Sequence, residues 1–198
     1  MRALLSIAAV GLLLVACGPQ TPRSVQPAPE AGPEPAQSRA VVGPILITFN
    51  EMGAGEINGA TPLNIDRIKG HFPNAEVRRA RDGEPDIITI RRPDGLRLDL
   101  YPGTDPKRVG RILGRAGPVV GPLGEELGAG WGAAGFTPDL CLRGQEGSAL
   151  TLVCYRPGEP RLGYIFVLPG FEGPADTVLS EALLEKSARL RAFVWAAD

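Results

Sequence analysis

Three carboxylates, Asp82, Glu84 and Asp86, are spaced two residues apart in the chain. A pair of carboxylates can supply the general acid and the nucleophile or base of glycoside hydrolysis, so an enzyme acting on cell wall is one hypothesis. The same segment contains a glycine and a proline and follows the arginine-rich residues 78–81. This composition is typical of a solvated turn. We therefore expect a charged loop here, with no catalytic residues.

His71 is the only histidine in the chain, which excludes a metal site built on several histidines. It lies at the predicted end of a helix, where the partial negative charge of the helix terminus favours a polar or cationic side chain. We expect His71 to face solvent or to interact with that terminus. The sequence predicts no metal and no cofactor.

Residues 130–135 read Gly-Trp-Gly-Ala-Ala-Gly, which matches the G-x-G-x-x-G pattern of dinucleotide-binding loops. That pattern binds a pyrophosphate where it leaves a strand and opens a helix, with an acidic residue about 20 positions later. Here it follows a predicted helix and precedes two cysteines. We interpret the glycines as a helix stop and a loop.

Residues 14–17, Leu-Val-Ala-Cys, end a short apolar run that follows Arg2. The run is shorter than the roughly 20 residues of a membrane-spanning helix and is typical of a signal peptide, residues 1–16. The four residues resemble a bacterial lipobox, which implies cleavage before Cys17, diacylglycerol on its sulfur and an acyl chain on its amine. Gly18 in place of aspartate then implies export to the outer membrane of a Gram-negative cell. The alternative is an ordinary secretory peptide.

The mature chain has two parts. Residues 17–40 contain the predicted lipidated cysteine and a proline-rich segment with no apolar period, which is typical of an extended spacer. Docking of a proline-reading partner is the alternative for this segment. Residues 41–198 are long enough for one domain with its own core.

The charges are unevenly distributed along the folded part. Residues 67–115 contain 12 basic and 7 acidic side chains, whereas residues 116–198 contain 6 and 10. A formal net charge of −1 argues against a nucleic-acid partner. The basic stretch is either a face towards anionic lipid headgroups or a solvated surface rich in arginine.

Cys141 and Cys154 form an even pair once Cys17 is lipidated, and in an exported protein such a pair is expected to be a disulfide. Residues 140–142 and 150–155 are predicted strands, and a turn at 147–148 would place the two cysteines opposite each other. A metal or redox pair is the alternative.

The local patterns predict two similar units of a helix and a hairpin. Residues 61–63, Thr-Pro-Leu, are typical of a helix start and predict a helix over 62–71 that buries Ile68 and exposes Arg67. Residues 121–123, Gly-Pro-Leu, predict a second short helix to about residue 131 that buries Leu127 and exposes Glu125.

Strands are predicted over 86–92 and 96–101, around the turn Pro-Asp-Gly at 93–95, and over 161–168 and 189–195. A third helix is predicted from a cap at Asp176 or Thr177 to about residue 186. This order predicts an α+β fold with a mainly antiparallel sheet. Five large aromatic residues are predicted to lie in its core: Trp131, Phe136, Phe166, Phe193 and Trp195.

The order of several short motifs resembles the RpoE-regulated lipoproteins, an uncharacterised family of the bacterial envelope. The matching residues are 61–63 with 72–73, 120–124 with 127–128, Cys141 and Cys154, 164–166, 173–174 with Asp176, and 194–195. The chain departs from the family around 180–187 and after Trp195. The resemblance implies an outer-membrane lipoprotein linked to envelope stress, with no catalytic residues to assign.

Two functional hypotheses follow. The first is a non-enzymatic envelope lipoprotein that binds or scaffolds a protein or glycan partner. The second is an inhibitor of a periplasmic hydrolase such as lysozyme, which also suits a small disulfide-bonded α+β lipoprotein. A rigid exposed loop carrying a serine or an acid would favour the inhibitor.

Overall fold

The computed structural model describes residues 45–81, 86–144, 150–171 and 178–197. These residues belong to one compact unit, Val41–Asp198. Several predicted features lie outside the described residues: the signal peptide, Cys17, the proline-rich segment, Asp82, Glu84, the turn at 147–148, and the cap at Asp176 or Thr177.

The described chain consists mainly of strands, with three short helices between them. The strands are β1 Ile47–Asn50, β2 Gly53–Ala54, β3 Glu76–Arg81, β4 Asp86–Arg91, β5 Arg97–Pro102, β6 Val109–Ala116, β7 Val119–Val120, β8 Cys141–Gly144, β9 Thr151–Tyr155, β10 Leu162–Val167 and β11 Arg189–Ala196. The helices are α1 Ile65–His71, α2 Trp131–Ala134 and α3 Glu181–Ser187, with a 3-10 turn at Pro138–Leu140.

Eight strands form one sheet in the order β3-β4-β5-β6-β11-β10-β9-β8, and every neighbouring pair in it is antiparallel. Two four-stranded meanders thus meet where β6 pairs with β11. A small sheet, β2-β1-β7, contains a parallel pair of β1 with β7. The prediction of an α+β fold with a mainly antiparallel sheet is confirmed.

One face of the eight-stranded sheet carries the main core. Phe49 from β1, Ile68 from α1 and Trp131 from α2 are all buried against it. Gly114 in β6 makes room for this packing, because a Cβ atom there would lie 2.7 Å from the Phe49 ring. The five aromatic residues predicted for the core are all buried, and Phe136 packs edge-on against Tyr164 at 4.8 Å between ring centroids.

Helix α1 confirms the predicted facing but begins later than predicted. The Asn64 side chain accepts hydrogen bonds from the backbone of Asp66 and Arg67, so it caps the helix three residues after Thr61. Ile68 is fully buried and Arg67 is exposed. Pro62 lies before the helix, in an isolated bridge to Arg108.

The helix predicted to open at Pro122 is absent, so the prediction of two equivalent helix-and-hairpin units is wrong in this detail. Gly124 and Gly128 have φ values of +85° and +88°, and this left-handed conformation interrupts a helix. Leu127, which was predicted to be buried, is only half-buried. Glu125, which was predicted to be exposed, is buried at 8% of its accessible surface.

The remaining predicted elements are present with shifted ends. Strands β4, β5, β10 and β11 match their predicted ranges within one or two residues. Helix α3 is capped by Ser180, whose hydroxyl accepts a hydrogen bond from Leu183 N. Strands β8 and β9 place Cys141 directly opposite Cys154, and the two residues form a disulfide with 4.0 Å between their Cα atoms.

Candidate binding face

Asp82, Glu84 and Asp86 are the carboxylates considered for enzymatic chemistry, and Asp82 and Glu84 lie outside the described residues. Asp86 is the one described member of the carboxylate group, and it lies 3.5 Å from Arg81 at the exposed start of β4. It lines a shallow cleft with Asn64, Arg79 and Lys107, in which it is the one described carboxylate. Asp86 itself belongs to strand β4, and the predicted charged loop around Asp82 and Glu84 stays a prediction.

His71 and the glycine motif are also structural. The His71 ring lies 2.8 Å from the Glu56 carboxylate at the exposed end of α1. Within the described ranges, no three histidine, cysteine or acidic side chains are placed to hold a metal ion. Gly130 and Gly135 flank the four-residue helix α2, so the motif encloses a short helix instead of following one as predicted.

The face of the eight-stranded sheet that points away from the main core carries a second apolar cluster. It consists of Ile87, Tyr101, Leu113 and Ala192, with Ala80, Ile165 and Val194 packed beside them. Because strand side chains alternate between faces, these residues lie between the positions that fill the main core. Every member belongs to a strand of the sheet, and no described helix contributes to the cluster. The four central residues are only 4–8% exposed, so they are themselves buried. We call this side of the sheet, opposite the main core, the open face.

Arginines are concentrated on the half of the open face formed by β3 to β6. Strand pairing places Arg78 opposite Thr89, Arg91 opposite Arg97, and Tyr101 opposite Arg111. We call the five arginines of this half the basic face: Arg78, Arg91, Arg97, Arg111 and Arg115.

A buried carboxylate lies at the centre of the basic face. Asp99 is only 1% exposed, and one of its oxygens accepts a hydrogen bond from the Thr89 hydroxyl at 3.0 Å. Its other oxygen lies 3.2 Å from Arg115 Nε and 3.5 Å from Arg97 Nη2. The two arginine side chains remain 40% and 44% exposed. One carboxylate therefore fixes the inner ends of two arginines whose outer parts still contact solvent.

The other arginines of this face are held less tightly. The Arg111 guanidinium lies over the Tyr101 ring, 3.9 Å from its centroid, a distance at which the ring attracts the cation. Arg78 lies 3.7 Å from Glu76 and is half exposed. Arg91 faces Arg97 across β4 and β5, and like charges that face each other directly destabilise a strand pair.

The other half of the open face, formed by β8 to β11, is mainly apolar, although Arg191 between Leu190 and Ala192 is exposed. Gly163 in β10 lies between Val153, Tyr155 and Val194, and a Cβ atom added there would lie 2.8 Å from Val194 Cγ1. Leu142 on β8 is 67% exposed at the edge of this surface. The open face thus changes from charged to mainly apolar across the junction of the two meanders.

A second buried carboxylate lies on the core side of the sheet. Glu125 pairs closely with Arg156 Nη2 and also accepts a hydrogen bond from Leu123 N at 3.0 Å. The same Arg156 nitrogen donates to Ala134 O at 2.8 Å. Its guanidinium lies over the rings of Phe136 and Tyr164. This group ties the loop before α2 to strands β9 and β10.

The phenol of Tyr164 belongs to the same buried group. Its oxygen lies 3.3 Å from Arg156 Nε and 3.4 Å from Glu125 Oε1. Burial raises the pKa of Tyr164 to about 12, because the charged phenolate would lose its hydration, and the hydrogen bond from Arg156 opposes this only in part. The phenol is therefore neutral at physiological pH.

The described chain begins beside the turn that joins β4 to β5. Arg92, in the turn after β4, donates a hydrogen bond from Nη2 to Ile45 O at 2.5 Å and pairs with both oxygens of Asp94. The hydrogen bond from Arg92 lowers the pKa of the Asp94 carboxyl below its usual value. This clamp fixes the start of the domain next to the strand ends that carry Arg91 and Arg97.

A likeness among solved structures supports the fold. The chain resembles the crystal structure of the uncharacterized protein yfeY from Escherichia coli, with a TM-score of 0.57 and 15% sequence identity. The likeness covers 77% of this chain and 100% of that one. No family model matches the chain, and no curated protein matches it. The RpoE-regulated family therefore stays a prediction from the sequence motifs.

Sequence reasoning found the basic stretch but missed the site that it forms. The alternation of charged and apolar residues over 97–101, Arg-Leu-Asp-Leu-Tyr, is a signal that one face of β5 is polar. The pairing of β5 with β6 brings Arg111 and Arg115 beside that face. Strand β6 was not predicted, so this convergence was not visible in the sequence.

Proposed function

We propose that the chain is a lipoprotein of the bacterial outer membrane, anchored through lipid on Cys17, whose folded part binds an envelope component and catalyses no reaction. The lipobox at residues 14–17 and Gly18 support the anchor and its destination. Among the described residues, no helix has the length and apolar character needed to cross a bilayer.

The basic face is the observation that carries the binding role. Folding has gathered five arginines on one half of the open face, and among the described residues Asp99 and Glu76 are carboxylates that they contact there. Arginine fixed at its inner end and exposed at its outer end is well suited to hold an anionic group, because its planar fork is already oriented. A link to envelope stress is part of the proposal and rests on the motif resemblance.

Cell fractionation tests the anchor. Wild-type protein is expected in the outer-membrane fraction, with the mass of an acylated N-terminus. Cys17→Ser is expected in soluble or uncleaved form, because a hydroxyl cannot form the thioether. Equal membrane partitioning of the two would contradict the anchor.

Gly18→Asp is the matched control, since it keeps the acylated cysteine. It is expected to remain membrane-bound and to move from the outer to the inner membrane. The stress link is tested separately by comparing the amount of this protein before and after envelope damage, and an unchanged amount would remove that part of the proposal.

A further inference from the structure

We infer that the basic face docks the folded unit onto the phosphate groups of an anionic lipid surface. The inference deepens the proposed function and rests on it, since the lipid anchor is what brings this face close to a bilayer. The ligand chemistry is that of clustered phosphates held at a membrane, and a single soluble anion is not the occupant.

The charge of the face is the first argument. Arg97 and Arg115 both contact Asp99, and each side chain is still more than a third exposed. Arg78 has one loose contact with Glu76, and Arg111 interacts with an uncharged ring. The face therefore carries more positive than negative charge, and phosphate oxygens would complement it.

The shape of the face is the second argument. The five arginines come from four adjacent strands, β3 to β6, and neighbouring strands lie about 4.8 Å apart, so the guanidinium groups are distributed across about 15 Å. That breadth exceeds a single phosphate and matches several headgroups side by side. Arg91 and Arg97, which face each other, gain most from an anion between them.

The proposed lipid anchor is the third argument. Cys17 precedes the folded unit in the chain, so lipid on this residue would hold the unit near a bilayer. A tether of this kind raises the local concentration of the lipid surface and makes individually weak contacts effective.

Vesicle binding of the full mature chain, residues 17–198 with Cys17→Ser, measures docking without the lipid anchor. The probes are vesicles of phosphatidylcholine alone and of phosphatidylcholine with about 30% phosphatidylglycerol. We expect binding to the anionic vesicles only, and we expect it to weaken as salt is raised, because exposed charges are screened.

The basic-face variant is Arg78→Gln, Arg91→Gln and Arg111→Gln combined, which leaves both partners of Asp99 in place. Each basic residue near an anionic membrane surface contributes about fivefold in affinity, so this variant should bind about 100-fold more weakly. The matched control removes the same charge elsewhere, through Arg67→Gln, Lys69→Gln and Arg79→Gln on α1 and the other side of β3. The control should bind within a few-fold of the parent chain.

Asp99→Asn is a variant for which we expect the opposite change in vesicle binding. It removes a negative charge from the centre of the basic face and should strengthen binding to anionic vesicles about fivefold. The measurement on Asp99→Asn remains informative if the triple variant folds poorly, because this single change keeps the side-chain volume.

Three results would overturn the inference. They are no binding to anionic vesicles by the parent chain, equal loss in the two triple variants, and weaker binding by folded Asp99→Asn. Capture of an acidic protein or an anionic glycan without vesicle binding would assign the face to that partner instead. Failure of docking with normal fractionation of the wild type leaves the anchor intact, so the two proposals are distinguished.

Discussion

Asp99 and Glu125 are both buried carboxylates paired with arginine, but they lie on opposite sides of the same sheet. Arg156 donates to both Glu125 and a backbone carbonyl, lies over two aromatic rings, and has a side chain only 20% exposed. Arg97 and Arg115 contact Asp99 and then extend into solvent.

The difference distinguishes an ion pair that is enclosed in the fold from an ion pair that forms part of the protein surface. At Glu125 one arginine satisfies one carboxylate and several neighbours, so the charges are balanced within the fold. At Asp99 two arginines contact the same carboxylate, and both arginine side chains remain partly exposed to solvent. A buried ion pair therefore indicates a binding surface only where its cation is still accessible.

The largest expected effect is at the enclosed pair. Arg156→Met should lower the free energy of unfolding by about 3–5 kcal/mol, because Glu125 would remain buried without its cation. Urea unfolding measures it, with Arg111→Met as the control on the open face. Similar losses in the two variants would show that the enclosure of Glu125 has no special energetic role.

A smaller loss is expected at the open pair. Asp99→Asn should cost about 1–2 kcal/mol, since Thr89 keeps a hydrogen-bond partner and the two arginines can be hydrated. The same urea experiment measures this value. A loss as large as that of Arg156→Met would mean that Asp99 contributes as much to the free energy of unfolding as the Glu125–Arg156 pair. The basic face would then have a structural role.

The stability of the protein at high pH provides a further test of the buried group that contains Glu125, Arg156 and Tyr164. The pKa of Tyr164 is raised to about 12 from 10.0, so the folded state favours the protonated phenol. Its contribution to stability is present below pH 10 and is lost as pH rises towards 12. Stability measured across this range should fall less steeply in Tyr164→Phe than in the wild type, and parallel curves would contradict the assignment.

The smallest effect is expected at the exposed clamp beside the chain entry. The lowered pKa of Asp94 means that its stabilising contribution is present above its unfolded value of 3.8 and is lost as pH falls through the folded value. Asp94→Asn should therefore be slightly less stable than the wild type at neutral pH and equal to it in acid. A difference that persists in strong acid would assign the effect to something other than this carboxylate.

The elements that local patterns specify were predictable. The turn Pro-Asp-Gly at 93–95 gives the β4–β5 hairpin, and Ile68 and Arg67 take the expected faces of α1. The helix expected at Pro122 is interrupted by Gly124 and Gly128, and the burial of Glu125 depends on Arg156, a partner 31 residues away that no local pattern reveals. The basic face was unpredictable in the same sense, since it depends on the pairing of strands across the sheet.

The two irregularities in the β5–β6 pair limit how the basic face can change during evolution. They lie between Arg97 and Leu98 and between Tyr101 and Pro102, so the stretch that holds Asp99 is regular and bounded at both ends. A one-residue insertion inside this stretch would exchange the two sides of the strand and put Asp99 into the core. Inherited length changes should therefore accumulate at the bulges, while between them relatives should differ only by substitution.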